Sequence, residues 1–261
     1  MSVKQKLVRD VATYFGHSAG VRLSSWLFCD TRPPVVTGKV ASPRLQRAID
    51  AYRDSFMTET ELCRIMNGFG SDKGHGRHNY TVLYTSLLSE IRNAPLNLFE
   101  LGIGTNNVRL KSNMGRSGRP GASLYAWHQY LSHAQIYAAD IDRDILVHSD
   151  RIRCFHCDQT SVESIGALWS RPELNGIKFD LIIDDGLHEF EANKLFLERS
   201  YAKLGPGGLM IVEDILSCDK KLWIDYVAHK NATSRDASFA FVELPHAYNF
   251  VSNNVACIEK H

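Results

Sequence analysis

The sequence predicts an α/β fold built on a mostly parallel sheet. Three observations lead there. Short apolar strands alternate with helical segments through the second part of the chain. The strands are apolar along their length, as in Phe179 to Ile183, which suits burial on both faces. Successive strand ends carry glycines or acids, where an open α/β sheet places its ligands.

The first part of the chain reads as helix and loop. Val3 to Phe15 is helix-compatible, with Leu7, Val11 and Tyr14 at i, i+4 and i+7. Pro33-Pro34 interrupts the chain. Ser42-Pro43 opens a helix through about Arg53, serine suiting the cap and proline the first helical position. Thr58-x-x-Glu61 is a capping-box pattern before Leu62, Ile65 and Met66. A polar stretch from Gly68 to Asn79 leads into a helix over about Tyr80 to Arg92.

Strands follow at Leu96 to Leu101, Gln135 to Ala139, Ile152 to His156, Phe179 to Ile183 and Gly208 to Val212. Between the last two lies a helix with Phe190, Leu197, Tyr201 and Leu204 on one buried face. Two final strands, about Phe239 to Leu244 and Asn254 to Glu259, are joined by a short loop and read as an antiparallel hairpin. The expected sheet has seven strands. The expected division is a helical N-terminal region and lid over 1–92 and a ligand-binding domain over 93–261.

The 261 residues carry 30 basic and 29 acidic side chains, and 44% are hydrophobic. That composition excludes wholesale disorder, and the +1 net charge argues against a nucleic-acid binder. The charge is divided, at +5 over 1–95 and −4 over 96–261. No apolar run approaches a membrane span, and the first 30 residues show no signal-peptide pattern, so a cytoplasmic location is expected. Six scattered cysteines read as thiols of a reducing compartment. Cys154 and Cys157 form a CxxC on a strand with no second pair to complete a zinc site, and are expected to be buried thiols.

Glu100-Leu101-Gly102-Ile103-Gly104 ends the first strand of the second part, where glycines let a ligand approach the backbone. The third glycine of a dinucleotide fingerprint is missing, since Asn107 stands there. Asp140 ends the next strand, where a carboxylate can accept both hydroxyls of a ribose. Asp158-Gln159 follows the third, where an acid and an amide can read an adenine edge, and Asp184-Asp185 closes the fourth.

This series resembles the class I S-adenosylmethionine-dependent methyltransferases, from about Ser71 to the C-terminus. More narrowly it is similar to metal-dependent sugar O-methyltransferases of the mycinamicin and tylosin macrolide pathways and related surface-polysaccharide enzymes. The strings that carry the likeness are Ser71-Asp72-Lys73-Gly74 with His78-Asn79-Tyr80, Gly121-Ala122-Ser123-Leu124 with Trp127, Ile183 to His188, and Pro206-Gly207-Gly208 through Glu213-Asp214. Residues 1–60 add nothing to it. The resemblance implies a Rossmann-like methyltransferase fold. It places Glu100, Gly102 and Gly104 at the methionine end of the cofactor, Asp140 at its ribose, and Asp158 and Gln159 at its adenine. Asp142 is the lesser ribose candidate, and Asn106 stands where a further glycine is common. It also implies a general-base role for His188.

The chemistry agrees with this expectation. A sugar hydroxyl is a poor nucleophile, and a divalent cation with a neighbouring base can activate it. Asp185, Glu213 and Asp214 are three carboxylates from two strand ends, a hard oxygen set that suits Mg²⁺ better than zinc. His188 lies three residues after Asp185, at the expected start of a helix, so both can face one cavity. Asp184 is expected behind it, near the methionine end of the cofactor.

The acceptor is expected to be a sugar-containing small molecule, a nucleotide-sugar or a glycan. Oligomeric state is left open, a homo-oligomer included. Rival readings are methylation of a catechol-like diol, a noncatalytic cofactor-binding partner in glycan assembly, and a dehydrogenase. The loop from Arg109 to Arg119, with Lys111 and Arg116, is either a phosphate-binding loop or a solvated one. The stretch with Asp72, Lys73, His75 and His78 is either a lid or a plain connection. Trp127 and Phe190 are expected in the core.

Overall fold

In the computed structural model the described chain enters as a short strand, β1 (Val35–Gly38), and continues through three helices, α1 (Pro43–Ser55), α2 (Glu61–Phe69) and α3 (Tyr80–Leu88). The structure describes residues 33–55, 58–74, 76–244, 246, 249 and 252–261. The helix expected over Val3 to Phe15, and His75, lie outside them. Ser42 caps α1 as its sequence suggests, its hydroxyl accepting from Leu45 N at 3.1 Å. The cap of α2 is Thr60, two residues later than Thr58, with its hydroxyl 3.0 Å from Cys63 N.

The rest alternates as expected: β2 (Asn97–Leu101), α4 (Ala122–Tyr130), β3 (Gln135–Asp140), β4 (Ile152–His156), α5 (Val162–Trp169), β5 (Phe179–Asp184), α6 (Phe190–Ser200), β6 (Leu204–Val212), α7 (Lys220–Thr233), β7 (Ala237–Glu243) and β8 (Asn254–Lys260). The strands form one sheet in the order β1-β7-β8-β6-β5-β2-β3-β4. From β6 to β4 all neighbours are parallel, while β8 runs antiparallel between β6 and β7. Among the described residues the sheet has eight strands, against seven expected. The extra one is β1, which pairs antiparallel with β7 from Val35↔Glu243 to Gly38↔Ala240. Four residues after a proline pair are too few to show an alternating pattern.

Alternation sends neighbouring side chains to opposite faces. Leu98, Ile136, Ile183 and Ile211 pack with Tyr52, Leu62, Leu83 and Trp127 on the face covered by α1 to α4. Phe99, Leu101, Ile182 and Met210 pack with Ile165, Phe196 and Trp223 on the face covered by α5 to α7. Trp127 is fully buried, and Phe190 packs edge-on against Trp223 with ring centroids 5.3 Å apart. Cys154 and Cys157 are buried thiols, and burial pushes them up to about 11 and about 12. Among the described residues, no helix is long and apolar enough to cross a membrane.

Candidate active site at the carboxyl ends of the strands

A cavity of about 340 Å³ opens where β2, β3, β5 and β6 end. Gly102 and Gly104 form one wall, with φ of 81° and 77°. A Cβ on Gly102 would lie 2.1 Å from the backbone oxygen of Asp185, so the two strand ends can approach only with glycine there. Asn106 has a task of its own. Its amide donates to the backbone oxygens of Arg116 and Gly118 at 3.0 and 2.9 Å and ties down the loop that follows.

Asp140 and Asp158 reach the cavity wall. Asp140 accepts from Ile103 N and Asp142 N, each at 2.9 Å, and burial raises its carboxyl above the usual range. Asp158 accepts from the backbone and hydroxyl of Thr160. Asp142 is turned inward instead, taking the Thr105 hydroxyl and capping the turn at Arg143–Ile145.

Gln159 touches the cavity but spends its polar atoms on the protein. Its amide nitrogen donates to both oxygens of Asp184 at 2.9 and 2.8 Å, and its oxygen accepts from Leu187 N at 2.8 Å. Asp184 is fully buried and also takes the Asn193 amide at 3.0 Å. Burial pushes its carboxyl up to about 7. Glu100 is fully buried as well and accepts from Trp127 Nε1 at 2.8 Å. Neither Glu100, expected to line the cofactor site, nor Asp184, expected behind it, is on the cavity wall. Both lie beneath it.

Asp185, His188 and Asp214 come together at one corner. Each offers a ligand atom, and these atoms lie within 4.8 Å of one another. His188 stands in the loop before α6, whose cap is Glu189, so loop geometry rather than helix spacing brings it to Asp185. His188 and Asp214 adopt left-handed backbone, with φ of 59° and 53°. Non-glycine residues hold that conformation at a cost of about 1–3 kcal/mol each, and such strain concentrates at functional sites. His188 Nδ1 is buried without a hydrogen-bond partner. An imidazole with an orphaned nitrogen, grouped with two carboxylates, fits a corner built for a cation or a proton-bearing ligand.

Glu213 does not join this group. It is 1% exposed, takes the Tyr84 hydroxyl on Oε1 at 2.6 Å, and pairs through Oε2 with the Lys73 ammonium. Lys73 also lies 2.6 Å from Asp185 Oδ2 and 3.5 Å from Glu100 Oε1. Burial alone would depress this ammonium, but Asp185, Glu213 and Glu100 hold it well above the usual lysine range. Burial in turn pushes the Glu213 carboxyl up against the pull of Lys73.

His78 Nδ1 sits 3.0 Å from Asp214 Oδ1, and Tyr80 Oη donates to the same oxygen at 2.9 Å. Burial works against the His78 cation, yet Asp214 raises it to about 9. Burial also opposes the Asp214 anion, but His78 brings that carboxyl down to about 2. The stretch between α2 and α3 is therefore neither a loose connection nor a simple cover. It delivers Lys73 and His78 into the acid cluster. The signal in the sequence was the cluster itself, since carboxylates gathered at buried strand ends need cations close by.

The loop from Arg109 to Arg119 borders the cavity through Lys111, Ser112, Asn113 and Met114. Lys111 pairs with Glu189 at 2.8 Å, and the Ser112 hydroxyl donates to Leu187 O at 2.9 Å. Two contacts thus join this loop to the one carrying His188.

No family model matches the chain. It is 28% identical over 170 residues to the 8-demethyl-8-(2-methoxy-alpha-L-rhamnosyl)-tetracenomycin-C 3'-O-methyltransferase of Streptomyces olivaceus, covering 65% of this chain and 40% of that protein. It is 28% identical over 155 residues to the mycinamicin VI 2''-O-methyltransferase of Micromonospora griseorubida, covering 59% and 36%. The chain thus spans 40% or less of the length of these two curated relatives. The structure of the MycE methyltransferase from the mycinamycin biosynthetic pathway, in complex with Mg and SAH, superposes with a TM-score of 0.58 at 23% identity, over 78% of this chain and 55% of that one. This chain therefore has the class I methyltransferase fold, and in sequence it is similar to sugar O-methyltransferases.

Proposed function

We propose that the chain catalyses S-adenosylmethionine-dependent O-methylation of a sugar hydroxyl. The observation that carries this reading is the meeting of Asp185, His188 and Asp214 beside the glycine-walled cavity. Its support is the likeness to enzymes named as sugar O-methyltransferases and to a fold solved with Mg and SAH.

When bound, S-adenosylmethionine would supply the methyl group, and a divalent cation would lower the pKa of the acceptor hydroxyl. Gly102 and Gly104 would leave room for the cofactor's methionine end, Asp140 would bind its ribose, and Asp158 would contact its adenine. Asp185 and Asp214 would hold the cation through oxygen atoms. His188 takes the hydroxyl proton, and the contacts at Leu187 and Glu189 tie down the loop that carries it. Gln159 would form part of the cofactor floor, and Asp184 supports it from beneath. The same clustering favours a second reading in which His188 is a third metal ligand. Replacing it with alanine weakens Mn²⁺ binding only in that case.

The test is release of S-adenosylhomocysteine by protein supplied with Mg²⁺ and a panel of deoxyhexose glycosides, nucleotide-sugars and catechols. Turnover with a glycoside or nucleotide-sugar supports the reading. Turnover confined to catechols, or none with any acceptor, contradicts it.

A further inference from the structure

All four non-glycine residues with left-handed backbone among the described residues stand at or beside the cavity. Asn79 lies between His78 and Tyr80, which both reach Asp214. His188 and Asp214 belong to the corner itself. The fourth is Ser112, with φ of 51°, on the cavity wall. It is exposed, so no packing pressure accounts for its conformation. Serine carries a Cβ and holds that backbone at a cost, which its surroundings must offset.

The connection from β2 to α4 runs over residues 102–121 without helix or strand, and a connection of that length is commonly functional. Its own bonds fix its path. Met114 N donates to Thr105 O at 2.8 Å, Asn113 Nδ2 donates to Leu110 O at 2.7 Å, and Asn106 holds Arg116 O and Gly118 O. From this path the Ser112 hydroxyl donates to Leu187 O at 2.9 Å. On the other side of the same residue, Leu187 N donates to Gln159 Oε1 at 2.8 Å. Leu187 is thus gripped at both of its backbone polar groups. Its carbonyl shares a peptide plane with His188 N, and the orientation of that plane helps set φ of His188, which is 59°. The Lys111–Glu189 pair nearby is exposed on both sides, and such a pair contributes little. The Ser112 hydroxyl therefore carries the contact between the two loops.

We infer that Ser112 is a positioning residue, whose hydroxyl holds the Leu187–His188 peptide and so keeps His188 in its left-handed turn at the corner with Asp185 and Asp214. The inference deepens the proton-removing role proposed above for His188 and rests on it. A base misplaced by about 1 Å can cost about a hundredfold in rate while cofactor and acceptor still bind. Loss of the hydroxyl thus slows the chemical step and leaves binding nearly unchanged.

The test combines hydrogen exchange of the full chain, read by mass spectrometry, with turnover and S-adenosylhomocysteine affinity. Ser112→Ala removes the hydroxyl, and Ser112→Gly removes it while relieving the backbone. Both are expected to speed exchange about fivefold in the peptide 186–190, with the strands of the sheet unchanged. In both, kcat is expected to fall roughly tenfold, with the acceptor KM and S-adenosylhomocysteine affinity within about threefold of the wild type. Unchanged exchange in 186–190, or faster exchange throughout the sheet, would overturn the inference. So would unchanged kcat in Ser112→Ala. A loss of S-adenosylhomocysteine affinity as great as the loss of kcat would make Ser112 a cofactor contact and overturn it as well. Wild-type behaviour of Ser112→Gly beside an impaired Ser112→Ala would assign the effect to the backbone rather than the hydroxyl, with the same result. A wild type that turns over no acceptor would sink the sugar-methylation reading, and exchange, which needs no acceptor, would still uphold or overturn the hold of Ser112 on the His188 loop.

Discussion

Tyr84 donates its hydroxyl to Glu213 Oε1 across 2.6 Å, with both side chains buried on the α3 side of the sheet. The bond meets a carboxylate that has no access to water. Tyr84→Phe preserves the ring and its packing, including the edge contact with Trp127 at 5.3 Å. It should cost about 1.5–3 kcal/mol, the usual range for a hydrogen bond to a charged group. Urea unfolding would show this as a lower midpoint at unchanged slope. A change under about 0.5 kcal/mol would mean that Glu213 is satisfied elsewhere.

Gly102→Ala tests the close approach of the β2 and β5 ends. The substitution puts a side chain at φ 81° and a Cβ 2.1 Å from the Asp185 backbone oxygen. Expected is a loss of about 3 kcal/mol or more in stability, with S-adenosylhomocysteine binding abolished. A folded variant with wild-type affinity would show that the strand ends are farther apart.

Asp140→Asn tests the ribose assignment. Asparagine keeps the shape but loses the acceptor character that Ile103 N and Asp142 N use, along with the charge. S-adenosylhomocysteine affinity should fall by roughly tenfold or more, while Mn²⁺ affinity stays within about threefold. Equal loss of both would instead indicate collapse of the loop after β2.

The thiols give a test away from the site. Burial raises Cys154 and Cys157 to about 11 and about 12, so little thiolate exists at pH 8, whereas Cys218 is exposed. Iodoacetamide at pH 8, read by peptide mapping of the native protein, should label Cys218 and leave Cys154 and Cys157 intact. Labelling of Cys154 at the rate of Cys218 would contradict the placement of β4.

The sheet was legible because its central strands are short apolar runs that end in glycine or acid. β1 was hidden by its length, and it becomes a strand only by pairing with β7, some 200 residues away. The acids at the strand ends were legible as a group, but their directions were not. Neighbours such as Asp184 and Asp185, or Glu213 and Asp214, turn to opposite sides, so one of each pair reaches the Asp185–His188–Asp214 corner and the other is buried beneath. Lys73 was the least visible. A lysine in a polar stretch reads as solvated, and its burial depends on acids brought from three separate strands. Gln159 read as an adenine contact from its strand-end position and from the resemblance; it lines the cavity beside Asp158, with both its polar ends given to Asp184 and Leu187.

The most direct test of the account is methyl transfer from labelled S-adenosylmethionine to a glycoside acceptor by Asp185→Asn, measured beside its S-adenosylhomocysteine affinity. Asp185 stands at the corner shared with His188 and Asp214, while the cofactor contacts assigned to Asp140 and Asp158 lie elsewhere on the cavity wall. The account predicts a fall in turnover of about a hundredfold or more, with affinity within about threefold of the wild type. Turnover within threefold of the wild type, or transfer that persists in excess chelator, would contradict it.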